Sequence, residues 1–468
     1  MIDLRRPAQR TFGEGLIEEE TATLWEPWMR HADQVLDDEQ LVAAVYEALL
    51  KRRPKSRTRG RLGVPAEIVL RMLLLKHIRN WSFGVVEREV RSNLVYRQFT
   101  RVGSGKVPDS KTLGRQALAL GPEVVRQIHQ RMVELAIDNK VVQGRKMRVD
   151  TTVVETNIHH PTDSSLLGDG DRVLTRLMKK VTEIAGAAGT KLRNSMRNVQ
   201  RLVAQIARAS RAKGQKVKEK IEPLYSKLLA ITQRVVGQAQ HFSDEIAGGV
   251  KRSSDFLEQA KLNGLKAEID DMVGIVKKVV HQTKARVLGG DTHVEGKILS
   301  VFETSTEVIR KGKASKPTEF GKMIKIQEAE NQIVIDFQVY DQKPSDSDLL
   351  IASIETHQTV MGRTPDLVAA DAGFYSAKNV AEAEELGVKR VSVPNRSPKS
   401  QARREEQKKR WFKKGQKWRT GCEGRISLLK RRHGLRRSLY KKEAGMKRWV
   451  GLGVIADNLI NIGRALAT

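Results

Sequence analysis

MRVDTTVVETN, residues 147–157, sets a single carboxylate, Asp150, into a run of Val and Thr that otherwise reads as a buried strand. The chain before it is dominated by helical patterns, so a strand here marks a change of architecture. Two explanations of the acid compete. A strand-end aspartate often does no more than bond to a turn. The same residue can also be one of several acids gathered from distant sequence around a metal ion, which requires partners elsewhere in the chain.

Downstream of this strand, residues 171–288 form a long helical stretch whose only proline is Pro223. Residues 171–290 hold 24 Lys and Arg against 11 Asp and Glu, and most of the excess sits in KLRNSMRNVQRLVAQIARASRAKGQKVKEK, residues 191–220. A basic helical pair of this kind either lies along nucleic-acid phosphates or is the solvated face of a hairpin. Beyond residue 290 the period changes again. KILSVFETSTEVIRKGK, MIKIQEAENQIVIDFQVYDQ and DLVAADAGF are rich in β-branched residues and bounded by turn residues, which predicts strands. DSDLLIASIETHQTVMG, residues 346–362, is patterned as a helix. A strand, a helical insertion, a strand hairpin, a helix and a strand make an α/β layer assembled from discontinuous sequence.

Upstream, residues 39–120 are helical in period, with Pro65 suited to a first turn and Asp109 or Ser110 placed to cap a helix. Short helices and a tight turn at Trp81-Ser82-Phe83-Gly84 are compatible with a helix-turn-helix DNA-binding region and equally with a plain bundle. At 468 residues the chain is long enough for two to four domains. Its formal charge of +30 exceeds what solubility requires and points to a polyanionic partner, nucleic acid first. No apolar run approaches the roughly 20 residues of a membrane span. The N-terminus has no export signal, so a cytoplasmic, nucleoid-associated location is expected, with no membrane partner. A single cysteine, Cys422, excludes an internal disulfide and a cysteine-based zinc site.

Two further acids repeat the situation at Asp150. Asp371 ends an apolar strand ahead of Ala372-Gly373, where α/β sheets bind ligands. Glu423 lies in WRTGCEGRISLLKRRHGLRR, residues 418–437, where Gly421 is expected to break the chain ahead of a helix carrying Glu423, Ser427 and Lys430 on one face. A glutamate in a first helical turn can simply complement the helix dipole. This one stands in the most basic part of the chain, since residues 401–450 hold 19 Lys and Arg against 4 Glu.

The series VDTTVVETN, KGKASKPTEFGKMIKI, DFQVYDQKPSDSDLL, VAADAGFYSAKN and WRTGCEGRISLLKRRHGL resembles the DDE transposases of bacterial insertion sequences, particularly the ISNCY-type group. The resemblance covers residues 146–461, and more loosely the helical amino-terminal region. It implies an α/β RNase-H-like catalytic core with a large helical insertion, plus an all-α N-terminal domain. The corresponding divisions are residues 1–140 for DNA binding, 141–170 and 291–468 for the core and its basic C-terminal helices, and 171–290 for the insertion. It implies further that Asp150, Asp371 and Glu423 bind two magnesium ions, with manganese a possible substitute. Asp150 is then the bridging ligand. Arg419 and Lys430 fit the family spacing around the glutamate and are expected at DNA phosphates together with Arg425, Arg431 and Arg432. The tyrosine of the family motif is replaced by Gln416. The activity implied is hydrolysis at the 3′ ends of an element followed by strand transfer into target duplex DNA, carried out by a homodimer that holds two ends. A DNA-binding protein without catalysis, or a nuclease that cuts without joining, are the alternatives.

Other residues offer less. His159-His160, Asp291 and His293 have no standard metal-ligand spacing. Glu303 and Glu319 are the substitutes should one of the three acids be misassigned. Lys311-Gly312-Lys313 lacks the surrounding glycines of a nucleotide loop and reads as a basic contact or turn.

Overall fold

The computed structural model describes all residues except 7–14, 16–18, 53, 58–61, 212–215 and 311–317. Lys311-Gly312-Lys313 therefore lies outside the described residues. The chain divides into two compact units, residues 1–157 with 307–468, and residues 158–306.

The first unit is built on a mixed sheet of β1 (Lys146–Glu155), β2 (Glu307–Arg310), β3 (Thr318–Glu328), β4 (Val334–Val339), β5 (Leu367–Ala369) and β6 (Arg390–Ser392). The strand order is β2-β3-β1-β5-β6, with β4 also paired to β3. The long strand β3 runs antiparallel to β1, placing Asp150 opposite Ile326, and holds β2 along its first residues and β4 along its last. The short strands β5 and β6 continue parallel to β1 on its other side. Strand β1 is thus central, and its burial on both faces explains its near-continuous Val and Thr.

Helices Pro27–Val35, Glu39–Arg52, Ala66–Ile78, Phe83–Ser92, Leu94–Phe99, Ser110–Ala119 and Pro122–Asp138 precede the sheet. Asp109 caps its helix by accepting the Thr112 N–H at 2.9 Å. Every residue of Ala66–Ile78 is buried, including Arg71, whose guanidinium is held by Asp33 and Asp37 at 2.6 and 2.7 Å. These helices share one apolar core with Ile335 of β4 and Ile333 just before it, and with Leu452, Ile455 and Leu459 of the C-terminal helix Lys442–Leu466.

The second unit packs four helices, Asp163–Ala185, Met196–Ala209, Lys216–Ala247 and Phe256–Thr283, around an apolar core. The first helix starts eight residues before the Asp171 expected from periodicity, because Thr162 and Ser165 form a capping box. Within residues 297–310, where strands are expected, only Glu307–Arg310 forms one. Ile298 does not enter a ladder because the Gln282 amide satisfies both of its backbone groups, accepting its N–H at 2.8 Å and donating to its carbonyl at 3.0 Å.

Asp171 lies fully buried in this helical core with one oxygen on the Thr232 hydroxyl at 2.9 Å and the other without a partner among the described residues. Burial pushes its carboxyl up to about 7. A raised folded-state value means that the unfolded chain releases this proton first. The contribution of Asp171 to the stability of this unit is therefore fully present below about pH 4 and is lost as pH rises through about 7. Asp171→Asn keeps an acceptor for Thr232 and carries no charge, so it should flatten that dependence and gain roughly 1–3 kcal/mol at alkaline pH. Chemical denaturation followed from pH 4 to 8 checks both parts, and parallel curves for the two proteins would count against the assignment.

Candidate active site

Asp150 is half-buried in the middle of β1, and its Oδ1 accepts the N–H of Thr151 at 2.7 Å. Asp371 stands two residues past β5, where it caps the short turn Ala372–Phe374 by accepting the Gly373 N–H at 2.8 Å. A Cβ on Gly373 would lie 3.1 Å from an Asp371 oxygen and 3.2 Å from an Asp346 oxygen, so glycine there leaves room for two carboxylates side by side. Asp346, in the connection after β4, accepts the Thr151 hydroxyl at 2.9 Å. It thereby ties the residue next to Asp150 to the turn that carries Asp371.

Glu423 comes from the helix Arg410–Arg432, which is continuous through Gly421. The expected break is absent. A Cβ on Gly421 would fall on the Arg148 guanidinium, which reaches across to the Trp418 carbonyl at 2.6 Å, so this glycine serves close approach and not termination. Glu423 consequently stands far from a helix N-terminus, and the dipole explanation for it has no basis. Gln416, at the tyrosine position of the family motif, donates to the backbone carbonyls of Ala370 and Ser392 and fastens this helix to the ends of β5 and β6.

Arg419 joins the acids. Its guanidinium is 2.9 Å from Glu423 and 3.9 Å from Asp150. Asp150, Asp346, Asp371 and Glu423 all line one cavity of about 1400 Å³. Cations from several elements share its wall, among them Arg310, Lys343, Arg396 and Arg437 together with Lys430 and Arg431. Carboxylates and cations lining one cavity suit a phosphodiester, whose charge must be neutralised while oxygen ligands face its phosphorus.

Not every expected residue is on this wall. Arg425 is buried, with its guanidinium on Asp457 at 2.8 Å and near Glu328 at 3.5 Å, so its charge is spent inside the protein and it is not placed for DNA. Arg432 is exposed but does not line the cavity. Glu319 is buried in β3 away from the cavity wall, and Glu303 belongs to the helical unit. Asp291 only accepts the His293 N–H in a local turn at 2.7 Å. Asp346 does not stand out in the sequence, since SDSD ahead of a helix reads as ordinary helix-start chemistry.

Among the described residues no three His, Cys, Asp or Glu side chains converge on one ion position. The cavity offers instead two adjacent carboxylates, Asp346 and Asp371, with Asp150 and Glu423 across the Arg419 guanidinium. The acids on its wall are carboxylates, with no His or Cys among them, a donor set that fits hard divalent cations and not zinc.

Two family models match the chain. Residues 26–116 match the model described as "Transposase domain (DUF772)", and residues 294–459 match "Transposase DDE domain". The second match includes Asp371 and Glu423, while Asp150 falls outside both. No curated protein and no solved structure matches the chain. The basic cavity thus belongs to a protein of the transposase class. The chain is a DDE transposase of the insertion-sequence kind. Domains of this family cleave and transesterify phosphodiester bonds and typically use divalent metals. No helix among the described residues is long and apolar enough to cross a membrane.

Proposed function

We propose that the cavity is the site at which this transposase cleaves the ends of its element and joins them to target DNA, with Asp150, Asp371 and Glu423 as catalytic carboxylates. The observation that carries the reading is that these three acids, separated by up to 273 positions in sequence, line the same cavity as a set of basic side chains. The strand order supports an RNase-H-like core, with the first strand central, an antiparallel meander on one side and two parallel strands on the other.

Asp150, Asp371 and Glu423 would hold two divalent metal ions, magnesium or manganese. Bound there, the ions supply activation of the attacking oxygen and neutralisation of the departing one. The chain's own groups bring the phosphate in and hold it in line. Arg419, Lys430 and Arg431 pair with its non-bridging oxygens. The Thr151 hydroxyl, held by Asp346 at 2.9 Å, fixes the backbone that bears Asp150. In the first step a water oxygen bonds to phosphorus, the bond to the 3′ oxygen breaks, and that oxygen takes up a proton. In the second, the freed 3′ hydroxyl bonds to a target phosphorus and displaces the target's own 3′ oxygen. Arg419, which now pairs with Glu423 and stands near Asp150, would be available to the DNA once those carboxylates had other partners. Residues 1–140 contribute further DNA contacts, the sheet with the helices that follow it supplies the core, and a homodimer holds two ends.

The test is incubation of the purified protein with a labelled element end, a supercoiled target plasmid and magnesium. Nicking at the end followed by labelled plasmid is expected. Cleavage with no joined product would make the protein a nuclease only, and binding with neither product would make it a DNA-binding relic.

A further inference from the structure

Between residues 190 and 211 the helical unit carries Lys191, Arg193, Arg197, Arg201, Arg208 and Arg211 and no acid at all. All six are exposed. The helix Met196–Ala209 buries Val199, Leu202 and Ile206 in the core of its own unit. Arg197, Arg201 and Arg208 are four and eleven positions apart, so at 3.6 residues per turn they fall within about 40° of arc, on the face away from that core. Their stripe is about 16 Å long.

Several cations elsewhere in the unit are paired with acids. Lys179 stands 3.9 Å from Glu183, Lys218 3.5 Å from Glu222, and Lys266 2.8 Å from Asp270, each pair one helical turn apart. Arg172 has Asp169 at 2.7 Å. None of the six cations on residues 190–211 has such a partner among the described residues. Arg197 and Arg201 are moreover like charges one turn apart, an arrangement that costs an isolated helix a few tenths of a kcal/mol. A row of like charges kept on one face, with its acids withheld, is matched to anions outside the protein.

The geometry points to duplex DNA as that anion. We propose that Arg197, Arg201 and Arg208 form a ridge that follows a DNA backbone, a binding surface additional to the cavity, and the choice of DNA rests on the transposase reading. A strand of duplex presents a phosphate every 3.4 Å of axis, so the stripe spans several of them, and guanidinium groups match phosphate oxygens in pairs. Backbone contacts of this type position a duplex without reading its sequence. An anionic membrane is the poorer match, because an interfacial helix needs an apolar face to insert and that of Met196–Ala209 is used by the bundle.

The test uses the full-length protein, a fluorescein-labelled duplex of arbitrary sequence, and anisotropy titrations across a salt series. Replacing Arg197, Arg201 and Arg208 together with Gln should lower the slope of log K against log salt by up to about 2.7, at about 0.9 for each phosphate no longer neutralised. Affinity should fall at least about tenfold in moderate salt. The comparison protein replaces Lys179, Lys218 and Lys266 with Gln, removing the same charge from paired positions, and its slope should stay near that of the parent. An unchanged slope in the arginine variant overturns the proposal, as does an equal loss in both variants, which would make the effect one of net charge. Circular dichroism melts of both variants verify folding. A parent that cleaves no DNA while the arginine variant still loses slope would sink the catalytic reading and leave the ridge standing.

Discussion

Asp150→Ala, Asp371→Ala and Glu423→Ala are each expected to lower strand cleavage by about a thousandfold or more, with duplex binding held within about threefold of the parent. The magnitude follows from what a carboxylate does in such a site. Losing one ligand of a two-cation centre removes several kcal/mol of transition-state stabilisation, and each 1.36 kcal/mol is tenfold in rate. Binding should survive because the cavity's affinity for DNA resides in its cations. Removing an acid from among Arg310, Lys343, Arg396, Lys430 and Arg431 makes the wall more attractive to phosphate, not less. Single-turnover cleavage of a labelled end, run beside anisotropy binding, separates the two quantities. Asp346→Ala provides a graded comparison. It leaves the three acids in place and removes the acceptor of the Thr151 hydroxyl, so its loss should be smaller. Cleavage near parental rates in any of the three alanine variants would take that residue out of the site.

The three acids are legible in the sequence because each violates its surroundings. Asp150 interrupts a buried strand, Asp371 follows an apolar one, and Glu423 stands nearly alone among cations. Asp346 escapes notice because an acid before a helix is unremarkable locally, and only the meeting of the β4 connection with the Asp371 turn makes it part of the cavity. Gly421 misleads because helix termination and close packing call for the same residue, and the packing partner, Arg148, lies 273 positions earlier. The N-terminal helices are legible as helices, but an apolar stripe does not name its partner, so their joint core with the C-terminal helix is not. Arg425 is swept up with its neighbours because a basic run looks alike whether a cation faces solvent or a buried acid.

That buried arginine carries the second large effect. Glu328, fully buried on β3, accepts the Arg148 guanidinium at 2.8 and 2.6 Å, and Arg425 stands between Glu328 and Asp457 of the C-terminal helix. The Glu328 carboxyl lies above the usual carboxylate range because burial outweighs the pull of Arg148 and Arg425. Two cations and two anions are thus closed off from water, and each compensates the others only while all four are present. Arg425→Ala should cost about 3–5 kcal/mol, since it strands the Asp457 carboxylate in the interior. Replacing Arg425 and Asp457 together with apolar residues of similar volume should recover most of that loss. Cleavage is the informative readout in the recovered double variant. Arg425 lies two residues beyond Glu423, on the helix whose position against β1 and β3 these ion pairs set. If the network serves stability alone, the stable double variant cleaves like the parent. If it also fixes where Glu423 stands, the variant melts normally and cleaves at least about tenfold more slowly, because small displacements of a reacting group are that costly. The second outcome is the expected one, since the guanidinium of Arg148 reaches both Glu328 and the backbone of the helix bearing Glu423.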